Sequence, residues 1–185
     1  MSVIEDIALT FLQKLNPEIA HALAIKSLSA GVIRGYDTVT SRRLRTNIAG
    51  IELPNPIGLA AGFDKNAEAL YGLANCGFGF LEVGAATPEA QLGNPKPRIF
   101  RLPGDQAVIN RLGFNNKGMH FIAQKLSTRS EKIIIGLNLG ANKDSCDKMG
   151  DFARVLDHCG SHIDFATVNV SSPNTNRLRD FQEGN

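Results

Sequence analysis

Cysteine is scarce in this sequence. Cys76, Cys146 and Cys159 form an odd set with no C-x-x-C spacing, which argues against a disulfide framework and fits a reducing compartment. The four histidines, His21, His120, His158 and His162, show no ligand spacing with them, so a zinc site finds no support. Cys159 follows His158, but adjacent side chains on a helix diverge, so packing is favoured over a nucleophile pair. Tryptophan is absent and aromatics are few. No run approaches the ~18 apolar residues a membrane-spanning helix needs. The start, MSVIEDIALTF, lacks the basic leader and small-residue cleavage site of a secretory signal. An excess of one charge is missing too: the net charge is +2, which gives no argument for a nucleic-acid partner. Neither G-x-x-x-x-G-K-[ST] nor G-x-G-x-x-G occurs, which counts against a Walker loop and a dinucleotide Rossmann site.

What is present is an ordinary globular composition, 43% hydrophobic and 21% charged over 185 residues. Two amphipathic helices are expected first. Ser2 and Glu5 make a capping box ahead of Ile4, Ile7, Ala8, Phe11, Leu12 and Leu15, which share one face. Asn16-Pro17 starts the second helix, Ala20, Leu23, Ala24 and Leu28 form its inner stripe, and Gly31 closes it. A basic linker with Arg34, Arg42, Arg43 and Arg45 follows.

The texture then becomes alternating strands and helices. Strands are expected at 56–60, 80–84, 133–139 and 165–170. Helices are expected after Asn66 as cap (Ala67, Leu70 and Ala74 inward), around Met119, Ile122 and Leu126, and around Phe152, Val155, Leu156 and Cys159. This alternation argues for a parallel sheet with right-handed crossovers, buried on both faces. Polar or small residues gather where the strands run out, at AAGFDK, GAATP, NLGANKD and NVSSPNT. In parallel α/β folds that edge is where ligands bind. Between Ala85 and Asn116 the chain makes a long excursion containing Pro95, Pro97, Pro103 and INRLGFNN. It is read either as a hairpin packed beneath the domain or as a substrate loop.

Three clusters carry possible chemistry. In NVSSPNT, the carboxamides of Asn169 and Asn174 each offer a donor and an acceptor and could bracket a flat heterocycle, with Ser172 between them. A turn built from ordinary turn-formers is the competing reading. In AAGFDK, small residues let backbone N–H groups approach a ligand, and Lys65 adds a cation; the alternative is a plain strand-to-helix turn. Asn138 in GLNLGANKD needs partners, from a ligand or from neighbouring backbone.

The segments LPNPIGLAAGFDKN, FLEVGAATP, GNPKPRIFRLP, INRLGFNN, GLNLGANKD and NVSSPNTNRLRDFQ occur in order through to the last residues. Together they resemble the quinone-using, membrane-associated class of the dihydroorotate dehydrogenase family. The two leading helices resemble that class's N-terminal extension, which borders the membrane and forms the quinone's entrance. The resemblance implies oxidation of dihydroorotate to orotate in pyrimidine (UMP) biosynthesis, with FMN passing electrons to a quinone. It implies Ser172 as the base at substrate C5, with hydride leaving C6 for flavin N5; the soluble classes carry cysteine at that position. Ala61, Gly62, Phe63, Asp64 and Lys65 match flavin contacts, as do Asn138 and Asn169. Lys65 and Asn169 also match substrate contacts, with Asn110, Arg111, Leu112, Gly113, Phe114 and Asn174. Ala85 stands where the family often has threonine, so it offers backbone but no hydroxyl.

The implied fold is a (β/α)₈ TIM barrel, of which four strands are readable, where a whole barrel takes ~250 residues. The chain is therefore expected to hold a helical extension (1–35) and the first half of an FMN-binding barrel (36–185), with the phosphate site in the other half. The alternative is an inactive half-barrel fragment of the same enzyme. The class implies a peripheral membrane protein, on the cytoplasmic face of a bacterial inner membrane.

Overall fold

The computed structural model describes residues 3–32, 38–130, 133–175 and 178–182. Two helices lead, α1 (Val3–Lys14) and α2 (Pro17–Ser29). The start of α2 follows from its sequence. The Asn16 side chain accepts the Glu18 amide at 3.0 Å, and Pro17 occupies the first turn, where no amide is needed. Ala20 and Leu28 point inward, but Leu23, expected beside them, is exposed. Ser2, Arg34 and the expected boundary at 35/36 lie outside the described residues. Among the described residues no helix is long and apolar enough to cross a membrane.

Where the expected linker ends, the chain forms a small antiparallel hairpin, β1 (Thr46–Ile48) with β2 (Ile51–Leu53). The chain then runs through β3 (Gly58–Leu59), α3 (Leu70–Ala74), β4 (Phe80–Ala86), β5 (Ile99–Leu102), β6 (Ala107–Asn110), α4 (Met119–Leu126), β7 (Ile135–Leu139), α5 (Lys148–Cys159) and β8 (Phe165–Val168). β3, β4, β7 and β8 form one parallel sheet whose spatial order equals their chain order. A doubly wound sheet reverses at a switch point, and this one does not. Winding in a single direction with helical crossovers is barrel topology. The architecture is that of four consecutive strands of a TIM barrel, preceded by helices.

The strand starts interlock through paired glycine and phenylalanine. Gly58 sits in register with Phe80, and Gly136 with Phe165. A Cβ on either glycine would lie about 2 Å from the facing ring (2.2 Å and 2.1 Å), so only glycine lets the ring lie across the neighbouring strand. The two rings meet edge to face, with centroids 5.9 Å apart. This packing fills the end of the sheet opposite the polar loops.

The expectation of strands buried on both faces is met by β7, all five residues of which are buried. It fails for β8, where Ala166 and Val168 are exposed, because β8 pairs only with β7 among the described residues. Asn66 is not a helix cap, and α3 starts only at Leu70. The cap's work falls to Asp64, whose carboxylate accepts the amides of Glu68 (2.8 Å) and Ala69 (2.7 Å). Leu156, expected inward, is exposed, whereas Phe152, Val155 and Cys159 are buried. The Cys159 thiol points to the Met119 carbonyl, and burial pushes its pKa up to about 11. His158 turns instead to His120, at 3.0 Å.

Candidate active site

The carboxyl ends of the strands hold a cavity of about 320 Å³. Ala61, Gly62, Lys65 and Ala85 line one side, Asn110, Leu112, Gly113 and Phe114 a second, and Asn138, Asn169, Ser172 and Asn174 a third. Every one of these residues was singled out in the sequence.

Local chemistry explains how each wall is held. The AAGFDK turn is tied to β4 by the Gly62 amide on the Gly84 carbonyl (2.9 Å) and the Gly84 amide on the Asp64 carbonyl (3.3 Å). Gly62 has φ +102°, a conformation side chains rarely adopt, and a Cβ built there would meet nothing within 4 Å. Its backbone thus faces open space in the cavity. Behind the third wall, Asn138 donates to Glu82 (2.8 Å) and accepts from Asn169 (2.9 Å). That chain fixes which end of each carboxamide faces outward. The Ser172 hydroxyl accepts the Asn174 amide at 3.3 Å, which folds the loop back over the cavity.

Lys65 is the charged member. Among the described residues its ammonium has no hydrogen-bond or ion-pair partner. Burial, the largest influence, pushes its pKa below the usual lysine range; the Arg98 charge acts in the same direction and Glu18 opposes them. A half-buried cation without a partner favours an anionic or electron-rich ligand beside it.

Phe63, Asp64 and Arg111 lie away from this cavity. The Phe63 carbonyl meets His21 Nε2 at 2.6 Å, and its ring packs edge-on against the imidazole. Asp64 is buried as the cap described above; burial, the largest influence, raises its pKa against the pull of the Ala69 and Glu68 amides. The Arg111 guanidinium donates to the Pro97 carbonyl at 2.9 Å. The long excursion contains the β5–β6 hairpin, and the residues at and after its end, Asn110, Leu112, Gly113 and Phe114, wall the cavity rather than packing beneath the domain.

Sequence reasoning missed several supporting side chains. Asn116 closes the excursion by donating to Thr87 Oγ1 (2.8 Å) and the Phe114 carbonyl (2.7 Å), and by accepting the Gly118 amide (2.8 Å). Gln91 donates to the Gly113 and Phe114 carbonyls, both at 3.2 Å. Glu82 did carry a signal, a carboxylate inside the apolar run FLEVG.

A second cavity, of about 590 Å³, lies on the other side of the AAGFDK turn. Pro17, Ala20 and Ala24 of α2, Leu59 and Ala60, and Ile99 and Val108 of the hairpin give it a mainly apolar lining, to which His21 and Arg101 add polar groups. Ala61, Gly62, Lys65 and Leu112 line both cavities, so the two share a thin wall.

The family model described as dihydroorotate dehydrogenase matches residues 43–185. The chain belongs to the dihydroorotate dehydrogenase family. It is 58% identical over 98% of its length to a dihydroorotate dehydrogenase (quinone) of Cereibacter sphaeroides strain KD131, of which it covers 52%. It is 48% identical to the protein of that name from Mesorhizobium japonicum, covering 51% of it. A crystal structure of the Eimeria tenella dihydroorotate dehydrogenase in complex with ferulenol superposes with a TM-score of 0.86 at 39% identity, over 96% of this chain and 50% of that one. The chain spans about half the length of the relatives it matches.

Proposed function

We propose that the protein containing this chain oxidises dihydroorotate to orotate in pyrimidine (UMP) biosynthesis, with FMN as cofactor and a quinone as final acceptor. The observation that carries this reading is the shared wall. A polar cavity suited to a flat, hydrogen-bonding substrate and an apolar cavity suited to a hydrophobic acceptor meet at Ala61, Gly62, Lys65 and Leu112. Electrons, unlike substrates, cross such a wall.

The residues fit a flavin. Small side chains at Ala61 and Ala85 and bare backbone at Gly62 leave room for a flat ring, and Lys65 is a cation in need of a partner. FMN, when bound, would supply the two-electron acceptor, taking both electrons together as one hydride. Lys65 then favours the negative charge that reduction brings. Asn138 and Asn169, oriented through Glu82, offer fixed hydrogen bonds at the ring and substrate edges. Asn110 and Asn174 hold the substrate's amide and carbonyl groups from opposite sides. Ser172 takes the proton from substrate C5, as hydride leaves C6. A hydroxyl is a weak base unless its proton can pass on, so a water path beside Ser172 belongs to this mechanism.

The apolar cavity is assigned to the quinone ring, entered between α2 and the β5–β6 hairpin. Ile7, Phe11, Ile19 and Leu23 present an apolar outer surface on the helices, suited to shallow contact with the cytoplasmic face of a bacterial inner membrane. The test is anaerobic mixing of the full-length flavoprotein with dihydroorotate. Flavin absorbance should bleach and should recover on adding a soluble quinone. Bleaching by a nicotinamide dinucleotide but not by dihydroorotate would refute the assignment.

A further inference from the structure

Arg98 is a buried guanidinium that belongs to no strand of the parallel sheet. It donates through Nε to Glu18 at 2.9 Å, and through Nη1 to the carbonyls of Leu92 (2.5 Å) and Asn94 (2.9 Å). Its Nη2 lies 2.8 Å from the same Glu18 oxygen. The segment it gathers, residues 92–98, grips the substrate-side loop from behind. The Asn94 amide and side chain donate to the carbonyls of Leu112 and Arg111, each at 3.0 Å. The Arg111 amide donates to the Arg98 carbonyl at 2.9 Å, and its guanidinium to Pro97 at 2.9 Å. Within two residues of these contacts, Asn110, Gly113 and Phe114 line the polar cavity.

Glu18 lies in the first turn of α2, a helix that also walls the apolar cavity. His21, three residues on and so on the same face, holds the Phe63 carbonyl of the other cavity wall. Burial tends to raise the Glu18 pKa, but the bonds and charges of Arg98 and Lys96 outweigh it and leave the carboxylate ionised below its usual range. Lys96 is mostly exposed and adds little, so the buried Arg98 is the working partner.

Resting on the dihydroorotate reading above, we propose that Glu18 and Arg98 are positioning residues: through them α2 holds the 92–98 bracket, and with it the loop Asn110–Phe114, in its substrate-binding shape. The helix beside the acceptor cavity thereby sets affinity in the substrate cavity. A simple staple between helix and barrel would affect stability alone.

The test uses Glu18→Gln and Glu18→Ala in the full-length holoenzyme. With a soluble dye as acceptor, KM for dihydroorotate and Kd for orotate should rise about fivefold to tenfold in Glu18→Ala, less in Glu18→Gln, with kcat within about twofold. In the ligand-free protein, hydrogen exchange at the Arg111 and Asn94 amides should quicken in the same order. Faster exchange with unchanged KM and Kd would overturn the proposal, as would unchanged exchange. If the unaltered enzyme fails to oxidise dihydroorotate, the functional reading falls, and the exchange measurement alone decides whether Glu18 holds the bracket. Should Glu18→Ala not fold, Glu18→Gln supplies both readouts.

Discussion

On β4 and β7, Leu81, Val83, Ile135 and Leu137 are at most 1% exposed; on the helices and the β5–β6 hairpin, Ile7, Phe11, Ile19 and Val108 are all more than half exposed. The strand pair is held by apolar burial from many directions. The outer lobe is attached at a few directional points. Arg101 donates to the carbonyls of Gln13 (2.9 Å) and Leu15 (2.7 Å) at the end of α1, where backbone acceptors lack helical partners. Glu18 meets Arg98, and His21 meets Phe63. A core joined by burial keeps the polar cavity rigid. A lobe joined by a few bonds can leave apolar side chains turned outward.

The largest effect should come from the cavity itself. Ser172→Ala should slow flavin reduction by dihydroorotate about 10²- to 10⁴-fold in stopped-flow absorbance, with orotate affinity nearly kept. An unchanged rate would remove Ser172 as the base. The contrast in packing predicts next that Leu137→Ala costs about 2–5 kcal/mol in denaturant unfolding. Phe11→Ser should cost less than about 0.5 kcal/mol yet weaken binding to anionic vesicles. If the α1 variant destabilised as much as the core variant, the two regions would not differ as argued.

The pH profile sharpens the link between the regions. On the proposed function, Lys65 favours reduced flavin only while protonated, and burial lowers its pKa. Flavin reduction should therefore fall as pH rises through that lowered value. Glu18→Gln removes an opposing charge and should move the alkaline limb further down, whereas Arg98→Gln should move it up. Movement in the same direction for both would contradict the electrostatic account.

The smallest effect is expected at Asp164, which pairs with Arg129 and accepts the Ile135 amide at 2.8 Å. Burial raises its pKa, but Arg129 and that amide outweigh it, so the folded pKa is lowered. Its contribution should be present above the unfolded pKa and be lost as pH falls through the folded one. Asp164→Asn should cost about 1 kcal/mol at neutral pH, with the difference from the unaltered protein vanishing in acid. A difference that persists in acid would count against this ion pair.

Much of the fold was legible because its signals are local. Apolar runs ending in AAGFDK, GLNLGANKD and NVSSPNT gave the strands and the ligand edge, and the side chains lining the polar cavity lie in or beside such segments. Legibility failed where distant groups decide. Asn66 looked like a cap, but Asp64, two residues earlier, reaches the free amides first. The β1–β2 turn is Ala49 at φ +50° and Gly50 at φ +87°; alanine stands where Asn or Asp would complete the usual signal, so the hairpin left only a weak sequence mark. Arg111 was grouped with its neighbours by the resemblance, but they line the cavity while its guanidinium donates to the Pro97 carbonyl. Glu18 and Arg98 are eighty residues apart, and neither stands in a pattern that names the other.

The shared wall between the cavities is most directly tested by separating the two half-reactions. Ala24 lines only the apolar cavity among those two. In full-length Ala24→Trp, stopped-flow reduction of flavin by dihydroorotate should stay within about twofold of the unaltered enzyme, while reoxidation by quinone slows at least about tenfold. Equal slowing of both steps, or an unaffected reoxidation, would contradict the assignment of the two cavities.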